Sequence, residues 1–108
     1  MELISFTNEK EAKKLLKKSR TRIDEIDNEL IDLIHERTSL AGDIVSSKIF
    51  LGMDIFDEKR EKIIHDKILK IAKEKNIDEN ILSRIMNTLR DLSKVEQNKY
   101  KEEILRRK

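Results

Sequence analysis

Apolar residues recur at alternating steps of three and four along residues 22–44, RIDEIDNELIDLIHERTSLAGDI, at Ile23, Ile26, Leu30, Leu33, Leu40 and Ile44. Steps of three and four keep side chains on one face of a 3.6-residue helix, so this stretch predicts an amphipathic helix. Upstream the pattern continues weakly through Leu15 and Leu16 to a cap at Thr7 or Asn8. Downstream it runs to Ile49 and Leu51, where Gly52 supplies a left-handed stop. The first predicted helix therefore covers most of residues 9–51. A second starts at Asp57 as N-cap, carries Ile63, Ile64, Ile68, Ile71 and Ala72 on one face, and ends around Asn76. Asp78 caps a third, which runs through Ile81, Leu82, Ile85, Met86, Leu89, Leu92, Tyr100 and Ile104 to the basic end EEILRRK. The expected fold class is all-α, with three helices per chain and a very long first helix.

The proportions of the first helix carry a consequence. Some 40 residues at 1.5 Å each extend ~60 Å, whereas a compact chain of this size has a radius of gyration of only ~13 Å. Such a helix projects from any monomer and leaves its apolar seam uncovered. A second copy of the chain, related by a two-fold axis, is the ordinary cover, and an intertwined homodimer is expected.

Composition narrows the rest. The 108 residues include two glycines and no proline, too few turn formers for a chain of short strands. Basic and acidic residues nearly balance, 24 against 22, so no chain-wide positive field gathers the phosphates of a nucleic acid. With no cysteine, disulfides and thiolate metal sites are excluded. Two isolated histidines, His35 and His65, do not complete a zinc site and read as solvated helix residues. No stretch approaches the roughly 20 apolar residues of a membrane span, and the opening MELISFTNEKEAKK is too short in its apolar run for a signal peptide. The expected compartment is the cytoplasm, with neither membrane nor nucleic acid as partner.

Chemistry enters where polar residues interrupt apolar faces. Arg37 occupies the seam between Leu33 and Leu40, where a guanidinium either snorkels to water or meets an anion. Lys48, eleven residues on, is rotated from it by only ~20° with ~16 Å of rise, so the two cations share a face and bracket room for a small dianion. Asp57, Arg60 and Glu61, within DEKRE, occupy the first turn of the second helix; routine capping explains them when taken alone. In the third helix Ser93 and Gln97, four apart, break the stripe of Met86, Leu89, Tyr100 and Ile104. Two polar residues in succession read as a polar hole in an apolar wall, the anatomy of a small-molecule pocket. Arg20 lies seventeen residues before Arg37, ~25 Å back and about 100° round, out of reach of the same ligand within one chain. If two first helices run antiparallel and cross near Ile31, the Arg20 of one falls opposite position 42 of the other, between Arg37 and Lys48.

Arg20, Arg37, Lys48, Asp57, Arg60, Glu61, Ser93 and Gln97, on helices of these lengths, resemble the all-helical chorismate mutases, and IDEIDNELIDLIHER is similar to that family's opening helix. The resemblance covers about residues 14–104 and is that of a short, monofunctional, archaeal-looking member. It divides the chain into an N-terminal extension, 1–13, which includes the start of the first helix, and a chorismate mutase domain, 14–108. Arg90 and Lys94, flanking Ser93, stand where bacterial members carry aliphatic residues.

The resemblance implies an isomerase that converts chorismate to prephenate by an intramolecular Claisen rearrangement, in the branch to phenylalanine and tyrosine, without cofactor or metal. By the same resemblance Arg37, and Arg20 from the other subunit, pair with the two substrate carboxylates. Lys48 and Gln97 donate to the ether oxygen, with Lys48 also touching a carboxylate. Glu61 accepts from the ring hydroxyl, helped by backbone near Asp57. Arg60 orders that turn and adds positive potential, and Ser93 donates to a carboxylate. Two other readings fit parts of the pattern. An isochorismate-pyruvate lyase shares the fold and a cationic pocket, and a non-catalytic helical dimerisation module needs only the charge and the heptad seam.

Overall fold

The structure, a computed structural model, describes residues 3–107. Its regular elements are helices: α1 (Glu9–Ser39), α2 (Ala41–Leu51), α3 (Glu58–Lys75) and α4 (Glu79–Arg106). The chain divides into a first compact unit that runs to Ile34 and a second that begins at His35. Among the described residues no helix is long and apolar enough to cross a membrane.

The first unit is built from α1. Asn8 caps it: its Oδ1 accepts a hydrogen bond from the Lys10 N–H at 2.8 Å, satisfying one of the donors that a helix start leaves free. Glu9 and Glu11 in the first turn favour the positive end of the helix dipole. The helix buries none of its residues, and Ile23, Leu30 and Leu33 of the predicted seam remain 55%, 51% and 59% exposed.

The second unit packs α4 against α2 and α3. The first helix expected over most of residues 9–51 is found in two segments that meet at Leu40. There the Leu40 N–H bonds the Arg37 carbonyl at 3.3 Å, a tightened turn, and Ile44 N–H resumes the regular pattern to the Leu40 carbonyl at 3.1 Å. At the same turn the Ser39 hydroxyl donates to the Glu36 carbonyl at 2.6 Å. Counted with α2 as the continuation of α1, the three-helix plan stands.

The remaining ends follow their predicted caps. Gly52, at φ 68°, closes α2: its N–H reaches the Ile49 carbonyl and the Met53 N–H reaches that of Lys48. Asp57 and Asp78 accept from the Arg60 and Ile81 N–H groups at 3.1 and 2.9 Å, opening α3 and α4. Asn76, left-handed at φ 56°, ends α3.

The apolar core of this unit is small: Ala41 and Val45 from α2, Ile68 and Ala72 from α3. Its α2 face is offset by one residue from the expected seam. Ala41 and Val45 turn inward, while Leu40 and Ile44 stay 49% and 37% exposed. Gly42 lets α2 approach α4 closely, since a β-carbon there would stand 3.2 Å from the Tyr100 ring. Ile68 and Ala72 are buried as the α3 pattern predicts, but Ile63 of that pattern is 60% exposed. The one buried residue of α4 is polar: Gln97, 6% exposed.

Candidate active site

A cavity of about 480 Å³ opens among α2, α3, α4 and the end of α1 that belongs to the second unit. Leu40, Ile44, Ile55 and Ile64 give it an apolar wall, and the rest of its lining is polar. Five cationic side chains (Arg37, Lys48, Arg60, Arg90, Lys94) face it against two anionic ones, Asp57 and Glu61. One of those two, Asp57, is engaged as the cap of α3. The balance favours an anionic ligand, and among the described residues no group of three or more His, Cys, Asp or Glu is placed to hold a metal ion.

Each of the polar groups is fixed by local structure. Arg37, in the last turn of α1, donates from Nη1 to the Leu89 carbonyl on α4 at 3.0 Å. That leaves most of the five N–H donors of its planar fork for a ligand. Lys48, in the last turn of α2, donates to the Ile55 carbonyl at 2.6 Å and to Gln97 Oε1 at 3.2 Å. An ammonium has three N–H groups, and one remains. Gln97 in turn donates from Nε2 to Ser93 Oγ at 3.0 Å, one helical turn earlier on α4. The buried amide is thereby satisfied at both ends; an unmet buried amide costs about 1–3 kcal/mol.

On the α3 side Glu61 is held by two cations from α4. Arg90 Nε lies 3.1 Å from its Oε2 and Lys94 Nζ lies 3.9 Å from its Oε1. Lys94 also stands 4.7 Å from the centroid of the Phe56 ring, a cation–π contact. Arg60 is exposed at the rim, its backbone N–H held by Asp57.

Of the eight residues singled out in the sequence, seven line this one cavity: Arg37, Lys48, Asp57, Arg60, Glu61, Ser93 and Gln97. Arg20 does not. It lies on α1 in the first unit and is exposed. His35 and His65 are exposed helix residues, as expected. Arg90 and Lys94, noted in the sequence beside Ser93 but given no role there, line the same cavity and engage Glu61. The signal was present in the spacing: residues 90, 93, 94 and 97 share one helical face.

Comparison with known proteins bears on the family and the fold. The profile of the family described as chorismate mutase type II matches residues 19–98. A chorismate mutase of Methanocaldococcus jannaschii is 49% identical over 84 residues, 78% of this chain and 85% of that protein. A bifunctional chorismate mutase/prephenate dehydratase of Buchnera aphidicola is 31% identical over 80 residues, 74% of this chain but only 21% of the longer protein. Among solved structures, the NMR structure of a monomeric chorismate mutase from Methanococcus jannaschii superposes with a TM-score of 0.65 at 43% identity, covering 84% of this chain and 95% of that one. Family profile, sequence identity and fold point the same way, and the chain belongs to the chorismate mutase type II family.

Proposed function

We propose that the chain isomerises chorismate to prephenate. The observation that carries this reading is the convergence of Arg37, Lys48, Asp57, Arg60, Glu61, Ser93 and Gln97, drawn from four helices and one connecting segment, on a single cationic cavity. The rearrangement breaks the ether bond between the ring and the enolpyruvyl arm and forms a carbon–carbon bond between the arm's methylene and the ring. No proton or electron pair leaves the molecule, so the site needs no nucleophile, metal or proton carrier. Its work is to hold a flexible dianion with the arm folded over the ring and to stabilise negative charge growing on the ether oxygen.

The assigned roles suit the donors present. Arg37, anchored at Leu89, presents its fork to one carboxylate. Lys48 has an N–H left for the ether oxygen and an adjacent carboxylate, and Gln97 Nε2 turns from Ser93 to donate to the same oxygen. Ser93, released, donates to a carboxylate. Glu61 accepts from the ring hydroxyl beside the backbone at Asp57, where Arg60 orders the turn and adds positive potential.

The proposal includes an intertwined homodimer in which Arg20 of a second copy completes each site. Its support is the exposure of Ile23, Leu30 and Leu33 along α1 together with the small core of the second unit. One solved relative is described as monomeric, which makes the oligomeric state a decisive measurement. The domain in this reading is 14–108, with 1–13 as an extension, and the enzyme works in the cytoplasm on a freely diffusing substrate; cell fractionation checks the compartment.

Adding chorismate, and in a parallel reaction isochorismate, to the purified protein and following loss of the diene absorbance, with prephenate and pyruvate measured separately, tests the activity. Prephenate alone is the expected product. Pyruvate from isochorismate in its place would make the chain a lyase, and no turnover of either compound would reduce it to a binding or dimerisation module.

A further inference from the structure

We infer that Arg90 is a positioning residue of the site: it fixes the carboxylate of Glu61 in the orientation that receives the ligand's hydroxyl. The inference rests on the proposed mutase reading, and specifically on the role given there to Glu61.

Arg90 is a cation in an unusual setting for a helix surface residue, with its side chain only 12% exposed. It is clamped on one side, where Nη2 donates to Oδ1 of Asn87 one turn earlier on α4. On the other, Nε meets Glu61 Oε2 at 3.1 Å. Lys94 faces the opposite oxygen, Oε1, at 3.9 Å. A carboxylate with a separate cation at each oxygen cannot swivel about its last bond without losing one of them, so its plane is set before a ligand arrives.

The same arrangement is poor for stability. Arg90 Nη1 is buried without a hydrogen-bond partner. A desolvated guanidinium with both N–H groups of Nη1 unmet is less favourable than an aliphatic side chain filling the same wall. Glu61, 26% exposed and still beside Lys94, would not be stranded by the loss of Arg90. What Arg90 contributes is therefore the placement of Glu61 rather than the integrity of the fold. A structural brace and a positioning residue then differ in sign: removing a brace lowers the melting temperature and spares the folded fraction's turnover, whereas removing a positioning residue spares the melting temperature and lowers turnover.

The test is a double-mutant cycle on chorismate turnover with Arg90→Leu, Glu61→Gln and the pair, each accompanied by thermal melting. Expected are a melting temperature of Arg90→Leu no lower than that of the parent and a loss of roughly tenfold or more in kcat/KM for each single variant, mainly in kcat. The double variant should fall within about threefold of the worse single, because both act through one contact. Arg90→Lys keeps the charge but cannot grip Glu61 and Asn87 together. It should lose less than the leucine variant, and that loss too should vanish in the Glu61→Gln background, which decides the matter whether or not the leucine variant folds. Losses that multiply, or a lowered melting temperature with unchanged turnover, overturn the inference and leave the mutase reading standing. Full activity in Glu61→Gln overturns it by removing the residue through which Arg90 acts. A parent chain that never converts chorismate overturns the mutase reading, and the inference with it.

Discussion

Lys48 Nζ donates a 3.2 Å hydrogen bond to Oε1 of Gln97, 49 residues further along the chain, and so decides which way the buried amide points. With its oxygen held by the lysine, the amide directs Nε2 toward Ser93 and the cavity. A lysine at the end of α2 and a glutamine midway along α4 are thereby presented to a ligand as neighbouring donors. Neither could be aimed by its own helix alone.

Replacing Gln97 by glutamate turns this donor into a titrating one. A protonated carboxyl can still donate to the ether oxygen; an ionised one places an anion against an atom on which negative charge is growing. Activity of Gln97→Glu should therefore survive at acid pH and fall as pH rises between about 5 and 8, a feature absent from the parent because an amide does not ionise. Rate profiles of the two proteins, with circular dichroism at each pH, read this directly. Equal activity of the variant at both ends of the range would return Gln97 to the status of a satisfied core amide.

Arg37→Lys should fail although it keeps the charge. The lysine loses the planar fork and cannot hold the Leu89 carbonyl and a carboxylate in one geometry. About 3 kcal/mol of transition-state stabilisation, or some hundredfold in kcat/KM, is the expected loss, with the helical content unchanged. Near-parent turnover would mean that this arginine only snorkels past the apolar face.

Gly52→Ala separates folding from catalysis. At φ 68° the residue closes α2 in the left-handed region, and a β-carbon there would meet nothing within 4 Å, so the penalty is one of backbone conformation alone. A loss of about 1 kcal/mol in unfolding free energy is expected, read by denaturant titration, with kcat and KM unchanged. A drop in kcat at full stability would show that the α2 terminus moves during turnover.

How far the sequence was legible depends on where the information lay. Caps at Asp57 and Asp78 and the stop at Gly52 are local, set by one side chain or one backbone conformation, and they are found where expected. The interruption at Leu40 was not legible, because an apolar periodicity does not register one backbone N–H shifting to the carbonyl three residues back. Nor was the inward turn of Ala41 and Val45, since alanine contributes little to a pattern dominated by leucine and isoleucine. Ser93 and Gln97 stood out as polar breaks in an apolar stripe. Arg90 and Lys94 stood out by their place beside Ser93 but not by their role, because charged helix residues are ordinarily solvated and the Glu61 carboxylate that engages both reaches across from α3. The acceptors at Ile55 and Leu89 are backbone carbonyls and leave no mark in side-chain identity at all.

Arg20 is the one predicted site residue outside the cavity lining. On an ideal helix the seventeen residues from Arg20 to Arg37 span about 25 Å and about 100° of rotation, and the proposed role in the same site therefore calls on a second copy. Arg20→Ala and Gln97→Ala should each be inactive as homodimers, one lacking the donated arginine and the other the buried amide. Unfolded together and refolded, they form heterodimers in which one of the two sites takes Arg20 from the Gln97→Ala chain and Gln97 from the Arg20→Ala chain. That site is intact. A mixture at equal proportions contains about half heterodimer if pairing is random, each with one working site of two, so activity should return to about a quarter of the parent value. Sedimentation of the parent at micromolar concentration should meanwhile show a dimer. An active monomer would remove Arg20 from the site, and heterodimers demonstrated by mass but without activity would mean that the arginine acts within its own chain.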